Sequence, residues 1–209
     1  CGRIFNMLSV QIKIKDKPNS ISPNTNGFDI RFEEVSFYYE ESIPLFKNLN
    51  MTIPHGTSIG LVGDTGSGKT TIAKLLLRLY ELKNGNIHIG DHSISDLSIK
   101  YLREKIGIVS QESFLFDASI LENITYGVKD PDSLDIDQAI DKSQCREFIE
   151  KLPEGLNTIV GERGQILSGG QRQRISIART LIRKPEIIIF DEATSSVDNR
   201  TEQLIQRAI

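Results

Sequence analysis

Residues 63 to 70 read GDTGSGKT and residues 167 to 174 read LSGGQRQR, and both stretches suit an anion. In the first, Gly63, Gly66, Gly68, Lys69 and Thr70 fit G-x-x-x-x-G-K-[ST] without a gap. The glycines let successive backbone N–H groups face a β-phosphate, Lys69 reaches the β/γ oxygens, and the Thr70 hydroxyl supplies a Mg²⁺ ligand. Thr71 extends the N–H set, and Asp64, Thr65 and Ser67 fill out the loop. In the second stretch, Ser168, Gly169, Gly170 and Gln171 lead into a basic helical segment, whose unpaired N–H groups and dipole favour negative charge. This second cradle has no lysine.

Carboxylates complete the chemistry. Asp191 follows the apolar run IIIF, at the carboxyl end of an expected buried strand, where parallel α/β sheets bind ligands. It is the expected Mg²⁺ partner. Glu192 beside it has the chemistry to orient and polarise an attacking water, and in-line attack at phosphorus needs positioning more than covalent help. Gln111, which closes KIGIVS, is by itself an ordinary loop amide and gains meaning only with the rest of the set.

The elements that must hold these residues follow from periodicity. Ile30/Phe32, then Val35/Phe37/Tyr39 after a one-residue slip, then Leu49/Met51/Ile53 alternate with period 2, predicting an antiparallel opening. SIGLVG at 58 to 63 is expected as a strand, and Ile72, Leu75, Leu76 and Leu79 have helical spacing behind the glycine loop. GNIHIG and KIGIVS predict further strands, and residues 135 to 152 read as helical. After SGGQ, Ile175, Ala178, Leu181 and Ile182 mark one face of a helix that ends by Pro185. Helix and strand then alternate, so the core is α/β.

The 209 residues, 38% hydrophobic, suffice for one large domain with its own core. Lys and Arg number 25 against 28 Asp and Glu, for a net charge of −3, so no basic footprint for nucleic acid is present. Two cysteines, Cys1 and Cys145, make no disulfide framework, which suits a reducing compartment. No run approaches the roughly 20 apolar residues that cross a bilayer. The start at Cys1 and the unpunctuated end in TEQLIQRAI are expected of a piece of a longer chain.

Taken together, Tyr39 after VSFY, GDTGSGKTT, Gln111, LSGGQRQR, IIIFDEATSSVD and Asp198 resemble the nucleotide-binding domain of an ABC transporter, from about residue 28 onward. VGERG at 160 to 164, and RIFNMLS before a Pro/Asn/Ser-rich linker, resemble the exporter type. The resemblance implies a P-loop NTPase ABC ATPase core with an antiparallel β subdomain and an inserted α-helical subdomain. Residues 1–27 would be the end of a membrane-domain helix and its linker. The ATP-binding domain would be 28–209, C-terminally truncated, with the helical subdomain at about 112–183.

The resemblance also implies ATP and Mg²⁺ as cofactors, with Tyr39 stacking on adenine, Thr70, Gln111 and Asp191 on the metal, and Gln111 and Glu192 handling water. Two cassettes would pair head to tail. Ser168, Gly169, Gly170 and Gln171 would then address the partner's nucleotide, which explains the missing lysine, since that γ-phosphate arrives already held by one. Ser195 to Asp198 would cross the dimer seam, and the regions of Gln111 and Glu162 would meet the transmembrane domain on the ATP-containing, cytoplasmic side of a membrane. The family's switch histidine is expected beyond the end of this sequence, because His55, His88 and His92 all precede LSGGQ. Two rival readings are a soluble ABC ATPase acting on nucleic acid or ribosomes and a non-hydrolysing, nucleotide-gated interaction module. Charge and VGERG oppose the first, and the intact carboxylates and LSGGQ oppose the second.

Overall fold

A computed structural model of the chain describes residues 9, 14–24, 27–40, 43–191 and 198–208. They divide into two compact units, Cys1–Arg103 and Glu104–Ile209.

In the first unit the alternating residues form β1 (Ile30–Phe37) and β2 (Phe46–Ile53), which pair antiparallel. With β3 (Asn84–Ile89) and β4 (His92–Ser93) they make a sheet of order β2-β1-β3-β4. Ile30, Phe32, Val35 and Phe37 are all buried, so the slip in the sequence is a β-bulge. Register with β2 shifts between Phe32 and Val35, and register with β3 shifts between Glu33 and Ser36. Glu34, the extra residue, takes φ 51° and donates its N–H to Asn50 Oδ1 at 3.0 Å. Gly85 makes room on the other side, since a Cβ there would lie 2.4 Å from the Glu33 and Glu34 carbonyl oxygens.

The helix α1 (Lys69–Leu76) buries Ala73, Leu75 and Leu76. It is shorter than the spacing predicts, and Leu79 lies beyond it, exposed. Arg78 turns the chain at φ 47° and is itself buried, donating to the Leu97 and Lys15 carbonyls at 3.0 and 3.2 Å. The expected strand SIGLVG is also corrected. Residues 58–63 are exposed and pair with no strand among the described residues. Apolar content supplies no ladder, and a strand exists only through its partner.

Part of the Pro/Asn/Ser-rich stretch is tied down. Ile21 accepts from Ser98 N–H and donates to the Asp96 carbonyl, Asp16 accepts from Ile99 N–H at 2.7 Å, and Lys17 pairs with Asp96 at 2.6 Å. Ile99 opens α2 (Ile99–Lys105).

The second unit holds the parallel pair β5 (Ile106–Ser110) and β6 (Ile187–Asp191). Its helices are α3 (Ile120–Thr125), α4 (Ser133–Lys142), α5 (Arg146–Ile149) and α6 (Gly169–Leu181), followed by α7 (Asn199–Ala208). Leu115, Ile120, Ile124, Ile140, Cys145, Phe148, Val160, Ile175 and Ala178 share one buried core. The helical reading of 135 to 152 is broken in the structure, because Gln144 takes φ 58° and ends one helix before the next begins. No helix among the described residues is long and apolar enough to cross a membrane.

Candidate functional site

The phosphate-type loop owes its path to small residues. Gly66 and Gly68 stand at φ 86° and 99°, a region where a side chain is costly. A Cβ on Gly68 would also lie 2.5 Å from the ring of Phe46, so β2 presses directly on the loop. Gly63 is small for contact rather than conformation, since a Cβ there would meet Ser67 Oγ at 2.8 Å. Gly68 begins α1 without any side-chain cap, so the helix presents its first N–H groups to a ligand. Lys69 folds back, and its ammonium donates to the Gly63 and Asp64 carbonyls at 2.7 and 3.0 Å. Helix dipole and ammonium thus bring positive charge to one loop, and the donor set fits a polyphosphate.

Tyr39, just past β1, is half exposed, and its hydroxyl hydrogen-bonds Thr71 Oγ1 at 3.0 Å. The aromatic residue and the loop's helix are therefore joined within the first unit.

In the second unit, the parallel ladder ends with Ser110 opposite Asp191. Gln111 is the next residue, exposed, so Gln111 and Asp191 stand at the same end of the sheet. Gln111 and Asp191 offer oxygen ligands at this end of the sheet, as Thr70 does by itself in the first unit, and oxygen is the donor type that suits a hard cation such as Mg²⁺. Among the described residues no cluster of three or more His, Cys, Asp or Glu offers a different metal site.

Ser168 is the N-cap of α6. Its Oγ accepts from Gln171 N–H at 3.3 Å while Gln171 Oε1 accepts from Ser168 N–H at 2.9 Å, a reciprocal capping box. The box uses Ser168 Oγ as acceptor and leaves the hydroxyl hydrogen as a donor. No acidic residue sits in the first turn of α6, which keeps its N-terminus electropositive. Arg172 secures the approach by donating to the Leu167 carbonyl at 2.6 Å.

Glu162 is exposed on a short 3₁₀ turn, Glu162–Gly164. Left-handed Gly161, Arg163 and Gly164 shape this turn, and a Cβ on Gly164 would lie 3.0 Å from Leu115 and Arg172, so the turn is pressed onto the helical core. Glu192 and residues 195–197 lie outside the described residues. Asp198 accepts from Thr201 N–H at 3.0 Å at the start of α7, and its hydrogen bonds with Thr201, the side chain's first and the N–H's second, hold its carboxyl below the usual range.

Two residues escaped the sequence reading. Arg179 of α6 donates to the Asn123 carbonyl and Oδ1, each at 2.7 Å, and to the Phe114 carbonyl at 2.8 Å. It thereby ties the LSGGQ helix to the segment that follows Gln111, and burial lowers its pKa. Tyr80 packs against Tyr39. A lone arginine on a helix and a tyrosine after a turn carry no periodic signal, so nothing local announced either.

The geometry accords with what the chain is similar to. The family model described as "ABC transporter" matches residues 46–195. The mitochondrial iron-sulfur clusters transporter ATM1 of Debaryomyces hansenii is 45% identical over 99% of this chain and 30% of its own length. The ABC multidrug transporter mdr2 of Aspergillus fumigatus is 46% identical over 94% of this chain and 26% of its own. A solved bacterial Atm1-family ABC exporter with ATP bound superposes with a TM-score of 0.93 at 38% identity, covering 99% of this chain and 36% of that one. The chain thus spans about a third of the proteins it matches. The phosphate loop, the strand-end aspartate and the LSGGQ helix all fall within the matched residues, and the chain, with its ABC ATPase fold, belongs to the ABC transporter family.

Proposed function

We propose that this chain is the ATP-binding and ATP-hydrolysing cassette of an ABC exporter, closing on ATP with a second cassette to drive transport across a membrane. The observation that carries the reading is the uncapped N-terminus of α1 behind two left-handed glycines, with the Lys69 ammonium bound against the same loop. The exporter with ATP bound and the two transporters named above support the coupling to transport.

Lys69 and the backbone of Gly63 to Thr71 hold the β- and γ-phosphates, and Tyr39 carries the adenine. Thr70, Gln111 and Asp191 would hold Mg²⁺, which would supply positive charge to offset that of the phosphates. Gln111 and Glu192 orient the water that attacks the γ-phosphorus as its bond to the β–γ bridging oxygen breaks, releasing ADP and phosphate. Ser168, Gly169, Gly170 and Gln171 donate to the nucleotide of the partner cassette, and the regions of Gln111 and Glu162 receive the membrane domain. The cassette, residues 28–209 with a helical subdomain over about 112–183, then works at a membrane on the side that contains ATP.

Titration with a fluorescent ATP analogue in Mg²⁺ tests the reading. Lys69→Ala removes a charge-assisted contact and is expected to weaken binding about tenfold or more. Equal affinities for the two proteins would remove Lys69 from the site.

A further inference from the structure

Phe37, Tyr39 and Tyr80 form a closed triangle of rings. Centroids lie 5.0 Å apart for Phe37–Tyr39, 5.7 Å for Phe37–Tyr80 and 5.1 Å for Tyr39–Tyr80, with interplanar angles of 85°, 68° and 88°. This is the edge-to-face arrangement that ring quadrupoles favour. The corners differ in anchorage: Phe37 is 2% exposed in the sheet, whereas Tyr39 and Tyr80 are 50% and 40% exposed. All three line a cavity of about 720 Å³, so close packing does not hold the outer rings from that side. Ring holds ring.

Tyr80 reaches this place because of Arg78. The left-handed turn at Arg78 ends the run of α1, and the buried guanidinium bonds to Leu97, Lys15 and Glu81 fix the turn. The helix that begins at the phosphate loop therefore delivers, at its other end, the ring that leans on Tyr39. Tyr39 is also held to that helix through Thr71 Oγ1 at 3.0 Å, with Lys74 Nζ 6.0 Å from its ring centroid.

We propose that Tyr80 is a positioning residue for the nucleotide base, holding the ring plane of Tyr39 before ATP arrives. The inference rests on the reading of Tyr39 as the adenine platform. A platform already ordered loses less freedom when the base stacks, and the saving appears as affinity for the base alone. The phosphates, held by the loop, do not draw on it.

The test is calorimetric titration of the purified protein with MgATP and, separately, with magnesium tripolyphosphate, which has phosphates and no base. Tyr80→Leu is expected to weaken ATP binding about threefold to tenfold, the equivalent of one or two lost ring contacts, and to leave tripolyphosphate unchanged. Tyr80→Phe keeps the ring and is expected to restore ATP affinity. Tyr80→Met, of similar bulk without a ring, is expected to behave as Tyr80→Leu and stands in if that variant does not fold. In a Tyr39→Ala background, which itself weakens ATP, Tyr80→Leu is expected to add nothing. Equal weakening toward both ligands, or unchanged ATP affinity in Tyr80→Leu beside a clear loss in Tyr39→Ala, would overturn the positioning role. Unchanged ATP affinity in Tyr39→Ala would overturn the platform reading itself, and the positioning role with it.

Discussion

Ser110 and Asp191 face each other as the last pair of the parallel β5–β6 ladder, and Gln111 follows directly at the same end of the sheet. Asp191→Asn keeps the shape at this edge and removes one negative charge from the proposed Mg²⁺ ligands. ATP affinity is expected to fall about tenfold in Mg²⁺ and to stay unchanged in EDTA, read by nucleotide titration in both buffers. Equal weakening in the two buffers would mean that Asp191 supports the fold and not the metal.

Ser168 caps its own helix and is proposed to address a partner's nucleotide, and one substitution disturbs both. Ser168→Arg is expected to leave ATP binding to the monomer nearly unchanged and to block ATP-dependent pairing, because a bulky cation would fill the cradle proposed for a partner's γ-phosphate. Ser168→Ala separates the loss of the cap, worth about 1 kcal/mol, from that steric block. Analytical ultracentrifugation in a Glu192→Gln background, with hydrolysis slowed, gives the answer. A dimer that persists in Ser168→Arg would show that the cradle serves only its own helix.

Burial pushes the Cys145 thiol up to about 12, against which the Ser143 hydroxyl bond at 3.1 Å works only in part. An unfolded cysteine ionises near 8.5, so the folded chain keeps a proton that the unfolded chain releases. This contribution is whole below about pH 8.5 and is lost as pH rises toward 12. Urea denaturation is expected to show stability falling across that window more steeply in the natural chain than in Cys145→Ala. Parallel curves would place the thiol in contact with solvent.

Gly107 is where α6 settles on β5. A Cβ there would lie 2.5 Å from Thr180 Cγ2 and 3.0 Å from Pro185 Cγ. Gly107→Ala is expected to cost about 1–3 kcal/mol as helix and strand move apart, measured as a lower urea midpoint at constant slope. Unchanged stability would mean that the contact relaxes without cost.

What could be read in advance was local. The glycine loop and the slip before Val35 are each written within a few residues, and the structure shows both. The failures share a cause in distance along the chain. Leu79 kept helical spacing, but Arg78 is drawn into the interior by carbonyls at positions 15 and 97, and the helix ends. SIGLVG had strand composition and finds no ladder among the described residues. Tyr80 gained a partner only when residues 37, 39 and 80 met in space. Of the site itself, Glu192 was legible beside Asp191 and lies outside the described residues.

Removing Glu34 would give β1 an unbroken alternation from Ile30 through Phe37 with no left-handed residue of its own to sustain, although β2 would keep Asn48 at φ 51° and the register shift between Val35 and Phe37. As a sheet it would be the better object. A bulge, however, adds twist and changes the heading of everything beyond it, and here the far half of β1 leads to Phe37 and Tyr39. Straightened, the strand would deliver Tyr39 along a different line, away from Thr71 and Tyr80. The imperfection is a sighting correction: Asn50 and Gly85 hold it in place from either side, and the chain accepts a poorer ladder in return for a ring that points where it must.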